Sequence, residues 1–394
     1  MPSQKNQTTV TFGGWYQRTT LHLSEIYDLF ARGKSHLNLS LVKLENYFNQ
    51  FDFISVTREP GDFEYVKAVT KSGIEVHYYE DGLYVLSLNS SDVLQAEAKL
   101  RHYFDTTLHP AISYIFSLGA PTPKVLAAIK TPHQTVISIN SGQSPLSKQD
   151  LAGLKIGEVY SQITTNKLTV HKTPSYIIIV SPPKFTHTRE MVEMQIFFRE
   201  FKDQLQRYLD LHRQIWEEIS VIKERGSISG TEIEPLRQQL DSYEKTINLI
   251  KSRIAQMSSY VRTRSSIAKK LELDDALLSL FQYKYETLID THAYIQEIWK
   301  MTSDYVTTAI QVLNEAKAQS TANGINSLRM ITTVGVLAGI FGYLTKDQLP
   351  KFTLVGFWYF FVLVIGTWLI DKLVARFYQQ QKYKLKFTEK IGIN

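Results

Sequence analysis

Few residues in this 394-residue chain are spaced for chemistry. It has no cysteine, which excludes disulfides, thiolate metal sites and cysteine nucleophiles. The ten histidines are scattered, and His212 occupies a heptad position, where a packed imidazole is the simpler reading than a ligand. No glycine-rich phosphate loop, His-Glu-x-x-His pair or nucleophile elbow occurs, so the motifs point away from an enzyme. Two carboxylate clusters remain. Glu59, Asp62 and Glu64 read as solvated surface, and Glu272, Asp274 and Asp275 as the acidic start of a helix.

The elements that would position these groups fall into three parts. Up to residue 188, short β-like runs alternate with helical ones. Ile74 to Tyr79 and Leu83 to Leu88 flank Glu80-Asp81-Gly82, a hairpin signal, and Gln134 to Ile139 and Tyr176 to Val180 are further strands. Leu41 to Phe51 and Ser91 to Phe104 read as helices, giving a mixed α/β domain. From Met194 the apolar residues recur at alternating spacings of four and three, as far as Ile222. A second such seam runs from Leu236 to Val261, and the Gly226–Gly230 break between them predicts an antiparallel helical hairpin over 189–270. Beyond Asp275 no proline occurs before Pro350, and near-heptad apolar positions predict one long stalk helix over 271–329 that continues into an apolar segment. At 1.5 Å per residue such a helix would extend about 100 Å, and it needs neighbours to bury its seam.

The apolar segments are 330–345 and 352–370, joined by the polar loop 346–351. The second is uncharged for about 19 residues, close to the ~20 that a membrane crossing needs, so the pair predicts a transmembrane hairpin. Lys372, Arg376, Lys382, Lys384, Lys386 and Lys390 in the 371–394 tail, with Lys317 and Arg329 before the first segment, predict that both termini are cytoplasmic. The net charge of +6 is modest and part of it lies in that tail, so it is not read as a nucleic-acid footprint.

A cytoplasmic α/β domain, a helical hairpin, a stalk helix that becomes a first span and a short loop to a basic-tailed second span resembles the CorA magnesium-transporter superfamily. The local match is Leu337-Ala338-Gly339-Ile340-Phe341-Gly342, similar to the family's first-span end. Tyr343 and Leu344 stand where the family has Met and Asn, so the carboxamide ring that the family offers a hydrated cation is missing here. If Gly342 holds the family position, the resemblance implies that Asp304, Thr307, Gln311, Asn314, Thr321, Ile325, Leu328, Thr332, Gly335 and Gly339 line an axial pore, constricted at Ile325 and Leu328. The alternatives are a solvated helix back for Asp304 to Asn314 and close helix packing at Gly335 and Gly339. Arg329 would snorkel to headgroups. By the same resemblance, Glu59, Asp62 and Glu64, or Glu272, Asp274 and Asp275, could bind a regulatory divalent ion between subunits, and the metal candidates are Asp274, Asp275 and Asp304.

The combined expectation is an α+β protein: an α/β domain with long coiled-coil-like helices and a C-terminal two-helix transmembrane hairpin. It would be a homopentamer in the cell (inner) membrane, contacting lipid and passing a divalent cation such as Mg2+ through a gated stalk, with no catalytic step, no cofactor and no nucleic acid. The alternative is a membrane-anchored scaffold or ion sensor that has lost the selectivity motif.

Overall fold

The computed structural model describes residues 7–17, 22–117, 134–141, 146–165, 167–344, 354–380 and 382–384. Strand β1 (Gln7–Trp15) is followed by α1 (Leu23–Arg32), α2 (Leu41–Phe51), β2 (Phe53–Glu59), β3 (Tyr65–Thr70), β4 (Glu75–Tyr79) and β5 (Leu83–Asn89). Then come α3 (Val93–Tyr103), a π-helical turn (Phe104–Leu108), α4 (His109–Phe116), β6 (Thr135–Asn140), α5 (Lys148–Gly153), β7 (Ser161–Thr164), β8 (Thr169–Lys172) and β9 (Tyr176–Ser181). The helical part comprises α6 (Thr188–Glu224), β10 (Ser227–Ser229), α7 (Gly230–Lys270), α8 (Asp274–Phe281), α9 (Tyr285–Leu344), α10 (Leu354–Gln380) and β11 (Lys382–Lys384). The chain divides into two compact units, 1–211 with 249–298, and 212–248 with 299–394.

The first unit is built on a nine-stranded sheet of order β2-β3-β4-β5-β1-β6-β9-β8-β7, antiparallel except between β6 and β9. Side chains alternate across a strand, and here the alternation sorts them sharply. Val10 and Phe12 of β1, Val76 and Tyr78 of β4, Tyr84 and Leu86 of β5, and Ile137 and Ile139 of β6 all enter one apolar core with α1 to α4. Their neighbours in sequence face α6 instead. Gly13 marks the closest approach there: a Cβ would stand 2.6 Å from the Tyr84 carbonyl oxygen and 3.2 Å from Cδ1 of Ile196.

The β4–β5 turn has a second use. Asp81 accepts a hydrogen bond from the Leu83 N–H at 3.1 Å, tightening the turn, and Gly82 takes the positive φ of 89° that the turn requires. The same carboxylate receives Arg264 of α7 through two bonds of 2.7 and 2.9 Å, with both side chains buried. The guanidinium lies 4.5 Å from the Tyr79 ring centre and 4.8 Å from that of Phe63, so its faces are covered by aromatic rings as well.

In the second unit α9 is covered over part of its length. Trp299, Val306, Ala309, Leu313 and Ala316 are buried, as are Ile215, Ile219 and Ile222 of α6 and Leu236, Leu240 and Ile247 of α7. Where the α6–α7 hairpin turns, the chain forms a strand rather than the plain break expected. Ile228 of β10 pairs with Tyr383 of β11, and both side chains are buried, so the segment after α10 is fastened to the hairpin tip.

Two expectations are corrected. The predicted stalk helix starting near residue 271 is two helices, because Gln282 adopts a left-handed backbone (φ 60°) and its N–H caps α8. Among the described residues, moreover, no helix is long and apolar enough to cross a membrane. This overturns the transmembrane hairpin at 330–345 and 352–370, and with it the inner-membrane location and the ion-transport description built on that hairpin. A crossing needs about 20 successive apolar residues. In α9 those beyond Arg329 are interleaved with Thr332, Thr333, Gly335 and Gly339, and α10 continues unbroken through Asp371, Lys372 and Arg376. The loop 346–351 and the tail beyond residue 384 lie outside the described residues.

Removing one partner of the Asp81–Arg264 pair leaves a buried charge without compensation. Arg264→Met is expected to cost about 3–5 kcal/mol in chemical denaturation, and the double variant Asp81→Asn with Arg264→Met to recover part of that loss.

Candidate functional site

The residues expected to line a pore all lie on α9. A proline-free run of 60 residues forms this helix, and its apolar heptad positions face the α6–α7 hairpin up to Ala316. Asp304, Thr307, Gln311 and Asn314 lie on the opposite, exposed side. Thr307 donates to Glu244 of α7 at 3.1 Å. These four residues are exposed on the face of α9 away from the hairpin. His212 and Trp216 stack alongside α9, and His212 Nε2 lies 2.8 Å from the Thr302 hydroxyl. The heptad histidine is thus part of the packing.

Beyond Ala316 this cover stops. Lys317 reaches Glu234 near the start of α7 at 2.8 Å, and the next residues of the expected stripe are exposed. Thr321, Ile325, Leu328 and Thr332 come together along one groove with Gly324, Arg329 and Val374 of α10. Ile325 is 62% exposed and Leu328 46%. The hydroxyls of Thr321 and Thr332 bond back to the carbonyls of Lys317 and Leu328. The groove is largely apolar. Gly335 and Gly339 are exposed, and a Cβ at either would meet nothing within 4 Å among the described residues. Gly342, Tyr343 and Leu344 end α9, and their surroundings lie outside the described residues.

The acidic candidates are dispersed. Asp274 and Asp275 are exposed in the first turn of α8, where the helix dipole favours carboxylates, and Asp304 is exposed on α9. Asp62 pairs with Lys270 and Glu64 with Arg58. Among the described residues no group of three or more His, Asp or Glu side chains could hold a metal ion.

The sequence reading missed a buried charge network on the α6 side of the sheet. His77 of β4 is 2% exposed. Its Nε2 lies 2.7 Å from Glu75 and its Nδ1 3.1 Å from Glu193 of α6. Both ring nitrogens face carboxylates, which only accept, so the imidazole must be protonated to satisfy both contacts. Lys67 of β3 lies 3.1 Å from Glu75, and Arg189 of α6 lies 3.8 Å from Glu193. Tyr65 and Tyr79 flank the ring. Burial alone would lower the His77 pKa, but the hydrogen bonds and charges of Glu193 and Glu75 outweigh it and raise the value. The His77 hydrogen bond holds Glu75 down at about 2. Burial opposes ionisation of Glu193, yet His77, Tyr79 and Arg189 together keep its pKa below the ordinary range. The Glu75-x-His77 spacing, which places both side chains on one face of a strand, was the available signal. Glu193 lies 116 residues away and carried none.

No family model matches the chain, and no curated protein matches it. Its function is therefore read from its own residues.

The shifts predict a stability window. The His77 contribution is fully present below its unfolded pKa of about 6.5 and is lost as pH rises through its raised folded value. The carboxylate contributions are present above about 4.3 and are lost as pH falls through the lowered folded values. Urea midpoints measured across pH are expected to plateau between these limits and to fall on the alkaline side. His77→Gln should remove the alkaline slope.

Proposed function

We propose that this chain is the protomer of a self-associating, non-catalytic scaffold, in which copies assemble side by side along the exposed part of α9. The observation that carries this reading is the abrupt end of intramolecular cover. One helix is sealed by its own chain up to Ala316, then presents Thr321, Ile325, Leu328 and Thr332 along an open groove. Exposed apolar surface of this extent marks an interaction site, and Trp358, Phe361, Val362, Trp368 and Leu373 of α10 are exposed as well.

The spacing favours a second copy of the chain as occupant. Residues 321, 325, 328, 332, 335 and 339 alternate steps of four and three, and a 3.5-residue repeat keeps its seam against a partner of the same pitch. An identical helix satisfies that condition along its whole length. A ring closed by cyclic symmetry leaves no exposed seam. Burial of Ile325 and Leu328 would contribute about 1.5–3 kcal/mol each per copy. The histidines His77 and His212 are held in buried networks and packing, which is consistent with assembly rather than catalysis. No observation favours cation conduction over this reading.

Sedimentation velocity of the full chain at micromolar concentration tests the proposal. A discrete oligomer is expected, converted to monomer by Ile325→Asp with Leu328→Asp while the far-ultraviolet circular dichroism is unchanged. A wild-type chain that remains monomeric would overturn the proposal.

A further inference from the structure

A sheet face covered by a helix is ordinarily apolar, and most of the face beneath α6 obeys that rule. It departs where α6 begins. There a cleft of about 320 Å³ opens between β4, β5, β1 and β6 and the first turns of α6. Its floor follows from the strand register. Glu75 pairs with Ser87, Ser87 with Thr11, and Thr9 with both Asn89 and Ser138, so polar side chains from four neighbouring strands form two adjacent rows on the side away from the apolar core. Thr11 is only 4% exposed and Ser87 is half-buried, and both line the cleft. Their hydroxyls can each donate to and accept from a partner within the cleft.

The charges at the cleft define that partner. Glu75 and Glu193 are negative, and His77 and Arg189 positive, each within 3.8 Å of an opposite charge. An added anion would meet two carboxylates, and an added cation an imidazolium and a guanidinium. A neutral polyol meets neither penalty: its hydroxyls donate to the carboxylates and accept from Arg189, Thr11 and Ser87. Half-buried Phe185 at the cleft offers a face for carbon-bound hydrogens. We propose that this cleft binds a small neutral polyhydroxylated ligand of monosaccharide size, with Thr11 and Ser87 at its floor and Glu193 and Arg189 on its wall.

Calorimetric titration of the full chain with D-glucose, D-ribose and myo-inositol, and separately with inorganic phosphate and magnesium chloride, tests this. At least one of the three polyols is expected to bind, with affinity reduced about tenfold by Thr11→Val and several-fold by Asn89→Ala at the exposed rim. Unfolding of both variants should match the parent. The proposal is overturned if none of the three polyols binds, if phosphate or magnesium binds there in their place, or if polyol affinity is the same in both variants as in the parent. Oligomeric state is read separately, so failure here leaves the scaffold reading standing, and the converse.

Discussion

The interaction on which the second unit depends is the heptad packing of α9 against the α6–α7 hairpin, and its decisive property is that it ends before α9 does. The apolar seam from Trp299 to Ala316 is sealed, and the Lys317–Glu234 contact marks the limit. Past it, the same helical period continues without a partner from its own chain. A helix in water is stabilised mainly by burying its apolar stripe, so an uncovered stripe implies an external surface to cover it. The β10–β11 pairing strengthens this inference, because it ties the segment after α10 back to the hairpin tip and leaves the α9–α10 groove open.

In the first unit the organising constraint is the two-faced sheet. One face is mostly apolar and closes on α1 to α4. The other carries charge, and the unit manages it in two ways. At the β4–β5 turn, Asp81 and Arg264 neutralise one another under aromatic cover. Around His77, two carboxylates share one imidazolium. Both arrangements tie a strand to a distant helix, which gives specificity of docking more than net stability, since desolvating ions costs much of what pairing returns.

Much of the framework was legible because local chemistry determines it. Asp81-Gly82 placed the β4–β5 hairpin, the Leu41–Phe51 helix has the bounds its pattern indicates, and the alternating steps of four and three located α6 and α7. The break at Gln282 was hidden, because a glutamine in the left-handed region carries no signature of composition. β11 was hidden because a three-residue strand is defined by its pairing with β10, about 155 residues away, and not by its own sequence. Hydropathy misled at the C-terminus: a run of apolar letters cannot distinguish surface awaiting a protein partner from surface awaiting lipid.

Self-association through α9 is most directly measured by distance. The chain has no cysteine, so Thr321→Cys gives a single site for a spin label at the open groove. Helices that pack side by side lie 8–10 Å apart, so pulsed dipolar spectroscopy should show a narrow inter-copy distance on the order of 20 Å once the label arms are included. Absence of any inter-copy dipolar coupling at the concentrations where sedimentation is measured would contradict it.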